Sequence, residues 1–114
     1  MKYLLLIYTD PAAGPRDAAE GELLLKEYGG FTQGIIGSGE FVGGDRVHGV
    51  EAATSVRVRD GRTSTTDGPF AETKEHLGGY YLIDVADLDR AIELAAQIPN
   101  ARDGVVEVRP IMEM

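Results

Sequence analysis

The run Lys2-Tyr3-Leu4-Leu5-Leu6-Ile7-Tyr8 restricts this chain more than any other stretch. From Tyr3 to Tyr8 every side chain is aliphatic or aromatic, with no polar residue alternating between them. Successive side chains of a strand point to opposite sides, so a strand patterned this way needs apolar cover on both faces. The domain's own helices can cover one face. A two-layer α+β domain has nothing left for the other, so the second cover is expected from another copy of the chain. The run meets Asp10-Pro11 after about seven apolar residues, too short for a signal-peptide core with a cleavage site or for a membrane span. It reads as a buried first strand, with the cytoplasm as the default compartment and no membrane partner.

The remaining elements follow in order. Asp10 to Pro15 is a loop by composition. Asp17 caps a helix that runs to about Ser38, with Leu24, Tyr28, Phe31 and Ile35 on one face. Gly29, Gly30, Gly34 and Gly37 each cost that helix roughly 1 kcal/mol relative to Ala, so its apolar face must hold it in place. The glycines also suit a close approach to the sheet or to a ligand. Glu40 to Val47 is a weak strand interrupted by Gly43-Gly44-Asp45, and His48 to Ala53 is a loop. From Thr54 a strand alternates Val56 and Val58 against Ser55, Arg57 and Arg59, and Asp60-Gly61 signals a tight hairpin into Arg62–Thr66. Tyr80 to Val85 is a second buried strand. Asp87 opens a helix with Leu88, Ala91, Ile92 and Ala95 on one face, which Pro99 stops, and Val105 to Ile111 closes the chain. This order predicts one α+β domain over residues 1–114, a ferredoxin-like split βαβ with an inserted β-hairpin.

Strand parity divides the polar groups between two faces. Val56, Val58, Tyr81, Ile83, Val85, Val106 and Val108 can share the helix-covered side. Arg57, Tyr80, Leu82, Asp84, Glu107, Arg109 and Tyr8 fall opposite, a mixture expected of a surface neither wet nor dry. Two such faces across a two-fold make a barrel with a semi-polar interior, in which Glu107 pairs with Arg57 or Arg109. A structural dimer interface and a ligand pocket are both compatible with that face.

Charge and composition remove several classes of function. The 114 residues are enough for one core, and 19 acids against 11 bases give a net charge of −8. A chain this acidic repels phosphate backbones, and no basic cluster or basic helix stands out, so nucleic acid is not an expected partner. Without cysteine there is no disulfide, thiolate nucleophile or Cys-based zinc site. Two histidines 28 positions apart make no metal motif, and the glycine pairs lack the spacing of a dinucleotide or phosphate loop. Neither a metal nor another cofactor is expected.

The stretch Asp67-Gly68-Pro69-Phe70-Ala71-Glu72-Thr73-Lys74-Glu75, leading into Gly78-Gly79-Tyr80-Tyr81, is the part composition leaves unexplained. Asp-Gly-Pro makes a rigid corner, and a short charged helical turn is expected after it. The run DGPFAETKE…LGGYYLIDV resembles the DGPF branch of the YCII-related domain proteins, over essentially the whole chain. The resemblance implies a ferredoxin-like fold and a dimeric α+β barrel, hence a homodimer. It also implies an accessory or regulatory role, since such proteins are often encoded beside alternative sigma factors. Some YCII-related proteins use a His–Asp pair with the histidine on the first helix; here no histidine lies between Arg16 and Gly39.

Candidate site residues gather around that stretch. Asp67 can be a general acid or base, or its carboxylate can accept backbone N–H bonds in an Asx-type turn. Lys74 can bind an oxyanion or form a Schiff base, or it can be a solvated lysine paired with Glu72, Glu75 or Asp67. Tyr8, His48, Arg57, Phe70, Glu75, Tyr80 and Arg109 are the expected ligand contacts, each with a plain surface or core alternative. His76 carries little catalytic weight. Three functions fit this set. The first is a small-molecule binding protein with a semi-polar cleft at the dimer barrel. The second is a cofactor-free, metal-free acid–base enzyme, an isomerase or lyase acting on a small oxygenated substrate. The third is a structural dimerisation module.

Overall fold

The computed structural model describes residues 1–113. In chain order the elements are β1 (Lys2–Thr9), α1 (Ala18–Gly37), β2 (Phe41–Arg46), β3 (Thr54–Arg59) and β4 (Arg62–Asp67). Then follow β5 (His76–Asp84), α2 (Leu88–Gln97) and β6 (Val105–Pro110), with short 3-10 turns at Pro11–Ala13, Val50–Ala52 and Pro99–Arg102. Strands β2-β5-β1-β6 form a four-stranded sheet in that spatial order, and each neighbouring pair is antiparallel. The units β1-α1-β2 and β5-α2-β6 each straddle a strand of the other, which is the ferredoxin-like split βαβ of an α+β fold.

Both helices begin where the sequence predicts. The Asp17 carboxylate accepts the Glu20 N–H at 2.9 Å, and the Asp87 carboxylate accepts the Arg90 N–H at 2.9 Å, each satisfying a donor that no helical carbonyl reaches. They pack on the sheet face made by Tyr3, Leu5 and Ile7 of β1 with Tyr81 and Ile83 of β5. Leu5, Ile83, Leu94 and Ile98 are fully buried there, each contributing about 1.5–3 kcal/mol. Val106 and Val108 flank the core as their parity requires.

The buried stripe of α2 differs from the expected one. It is Ala91, Leu94 and Ala95, continued by Ile98, at spacings of three and four, whereas Leu88 and Ile92 are about half exposed. Two stripes of nearly equal apolar weight run along this helix, and the sheet decides which is covered. Strand β2 also departs from expectation, because Gly43-Gly44-Asp45 does not interrupt it. The strand runs through them with a register shift between Phe41 and Gly43. A Cβ at Gly44 would lie 2.8 Å from the Tyr80 carbonyl oxygen, and one at Gly79 would lie 2.8 Å from that of Asp45. These two strands approach where only glycine fits.

The larger correction concerns β3 and β4. They pair with each other in a separate two-stranded sheet and join neither edge of the main one. Val56 and Val58 are therefore not on the helix-covered face; they are 61% and 57% exposed. Parity is transferable only between strands of one sheet, and that condition fails here. The hairpin turn itself is as expected, with Asp60 and Gly61 both at positive φ (52° and 73°), the type I′ pattern that matches strand twist. The radius of gyration is 16.1 Å, against roughly 13 Å for a compact chain of this length. A hairpin standing away from the two-layer body accounts for the excess.

Candidate functional site

A cavity of about 430 Å³ opens between α1 and the sheet, on the helix-covered side at the β2-β5-β1 end. Leu25, Gly29, Thr32 and Gln33 line it from α1, at spacings that put them on one stripe of the helix. Across from them Gly44 and Arg46 of β2 and Gly79 and Tyr81 of β5 form the floor. Gly44 pairs with Tyr81 and Arg46 with Gly79, so these four residues share one sheet face. Gly29 brings no side chain into this space, and a Cβ there would meet nothing within 4 Å, while Gly44 and Gly79 line the floor where β2 and β5 approach most closely.

The cavity walls are held by hydroxyls that already have partners. Thr32 Oγ1 and the Tyr81 hydroxyl lie 2.6 Å apart, and the Tyr28 hydroxyl donates to Asn100 Oδ1 at 2.6 Å. Burial pushes the Tyr28 phenol up to about 12, so it stays a neutral donor across the physiological range. Phe31 and Phe41 each meet the Tyr81 ring edge-on, at centroid distances of 5.2 and 6.3 Å, and fix its orientation. Tyr80 also lines the cavity, while its hydroxyl donates to Asp45 Oδ2 at 3.1 Å across the opposite face. That hydrogen bond raises the Tyr80 phenol, with the charge on Asp45 adding to it. Arg46 is the one basic residue in the lining.

The sequence-predicted site residues do not meet in this cavity, apart from Tyr80. Asp67 ends β4 opposite Thr54 and is exposed; it makes no Asx-type turn among the described hydrogen bonds. The expected helical turn after the Asp-Gly-Pro corner is absent, and Gly68–Glu75 is an irregular loop. Phe70 is 82% exposed. The Lys74 side chain is 86% exposed, and its Nζ lies 3.9 Å from the Asp10 carboxylate, not from Glu72, Glu75 or Asp67. Glu75 and His48 are exposed loop residues. Among the described residues, none of 67–75 lines this cavity or either of the two clefts beside Asp103.

Tyr8 and Arg109 do lie on the open face of the main sheet, where Arg109 Nε donates to Glu107 Oε1 at 3.0 Å as one of the two expected pairings. Arg57 is absent from that face because it belongs to the hairpin. There it joins Arg59 and Arg62, since Arg59 pairs with Arg62 and Arg57 is two residues along the same strand. A basic cluster thus exists that linear reading missed, because its third member arrives across the turn. Also missed were Arg46, Thr32, Gln33 and Asn100. The only advance signal was the run of glycines in α1, which suits a wall that leaves room beside it.

Among the described residues no group of three or more His, Asp or Glu could hold a metal, and no helix is long and apolar enough to cross a membrane. Comparison with known proteins matches residues 1–114 to the YCII-related domain. The chain is also 36% identical over 114 residues to an uncharacterised protein of Rhizobium meliloti (strain 1021), covering 97% of this chain and 92% of that protein.

Proposed function

The chain belongs to the YCII-related domain family, and from that premise we propose that it binds a small molecule in the cavity between α1 and the sheet. The observation that carries this is a 430 Å³ space lined by three glycines on facing surfaces, with the Tyr28 and Thr32 hydroxyls of its walls already hydrogen-bonded. Such a volume and lining suit a small organic ligand. The Asp67-Gly68-Pro69-Phe70 run favours the DGPF branch, and an accessory or regulatory role in the cytoplasm suits a binder. Acid–base catalysis has less support. Asp67 and Lys74 stand outside the cavity, and the one carboxylate in the lining, Asp45, is engaged by the Tyr80 hydroxyl.

The binding reading is tested by filling the space. A Cβ at Gly29 meets nothing within 4 Å, so Gly29→Leu can enter the cavity without disturbing the backbone. Leucine also restores up to about 0.8 kcal/mol of helix propensity, so the variant should fold at least as well as the parent. A fragment screen by ligand-detected NMR should give hits on the parent that the variant loses. Hits retained in full by the variant would place binding elsewhere.

A second copy of the chain is the proposed cover for the open sheet face. Leu4, Leu6, Leu82 and Tyr80 form its half-buried apolar centre, with Asp84, Glu107 and Arg109 around them. A face carrying both signs of charge around an apolar centre can complement itself across a two-fold.

A further inference from the structure

We infer that the ligand of this cavity is a monoanionic carboxylate with an apolar, ring-sized body, its head held by Arg46; this rests on the binding reading above. Arg16, Arg90, Arg102 and Arg109 are each committed to a glutamate, at N···O distances of 2.7, 2.8, 2.6 and 3.0 Å. Arg46, like Arg57, Arg59 and Arg62 of the hairpin, has no carboxylate or side-chain partner among the described residues, but unlike them it lines the cavity. Strand geometry keeps it apart from Asp45, its neighbour in sequence. Asp45 pairs with Tyr80 and Arg46 with Gly79, so their side chains leave opposite faces of β2. The Asp45 carboxylate is moreover engaged by the Tyr80 hydroxyl at 3.1 Å.

Arg46 is therefore an uncommitted cation in the lining of a largely apolar space. Leu24, Leu25, Ile7 and Phe41 line the interior, and the hydroxyls of Tyr28 and Thr32 are already partnered. A planar fork of donors matches a carboxylate in two parallel hydrogen bonds. One cation in a chain of net charge −8 balances one negative charge, which disfavours a dianionic phosphate. The body must be apolar, because few free polar groups remain to satisfy a sugar or a peptide.

The test compares 2-naphthoate with its neutral isostere 2-naphthamide by titration calorimetry on the parent chain, Arg46→Gln and Gly29→Leu. We expect naphthoate to bind the parent about tenfold or more tightly than the amide, the range of a charge-assisted contact. Arg46→Gln should abolish that preference, and Gly29→Leu should remove both ligands. Equal binding of the two probes to the parent, or a preference that survives Arg46→Gln, overturns the carboxylate assignment and leaves the cavity reading standing. Binding of both probes unaffected by Gly29→Leu overturns the cavity reading itself, as does the absence of binding by either probe.

Discussion

Arg90 and Glu40 show how a single pair can tie two elements together. Arg90 Nε and Nη2 each donate to a different Glu40 oxygen at 2.8 Å, and Ser38 Oγ adds a third bond at 2.7 Å. They link the start of α2 to the residue that feeds β2. Arg90's hydrogen bonds, then Ser38's, hold the Glu40 carboxyl at about 2. A carboxyl lowered on folding contributes stability that is complete above its unfolded value near 4.3 and lost as pH falls through about 2. With Arg90 partly exposed, the contribution is discounted to roughly 1 kcal/mol. Glu40→Gln should therefore lower the melting temperature by about 4 °C at pH 7. That difference should shrink steadily between pH 4.5 and 2; a constant gap in thermal melts across this range would contradict the assignment.

At the scale of elements, the hairpin is the part most poorly supported by its own chain. A two-stranded sheet is marginal in water, and all six residues of β4 are exposed. Its base is held by the Gly68 N–H to the Ala53 carbonyl at 2.7 Å and by Ser55 Oγ to the Gly68 carbonyl at 2.8 Å. In a monomer, amides of residues 54–67 should exchange with deuterium through local opening, orders of magnitude faster than those of β1 and β5. Equal protection throughout, measured by hydrogen exchange at a concentration where the protein is monomeric, would show that the hairpin is not an independent unit. The turn of this hairpin was legible from Asp60-Gly61 alone, because a two-residue turn is encoded locally. Its detachment was not, since nothing within residues 54–67 states which sheet edge remains vacant.

For the whole molecule, the proposed second copy has a direct consequence. A face built around Leu4, Leu6 and Leu82 should be covered in solution at micromolar concentration. Light scattering coupled to sizing should give about twice the 12.3 kDa of one chain. Leu6→Glu, which puts a carboxylate into the centre of that face opposite Glu107 and Tyr80, should shift the protein toward monomer. Monomer alone for the parent would remove the second copy and with it the barrel.

The element order, the two aspartate helix caps, the hairpin turn and the assignment of Tyr81, Ile83, Val106 and Val108 to the core were all readable along the chain. Each depends on contacts within a few residues or on a period of two or four. The partners of Lys74, the buried stripe of α2, the arginine cluster of the hairpin and the cavity beside Arg46 were not readable. Each depends on register between segments tens of residues apart. Gly29, Gly44 and Gly79 show the difference: in sequence they are three unrelated small residues. Only when α1 lies across β2 and β5 do they line one space.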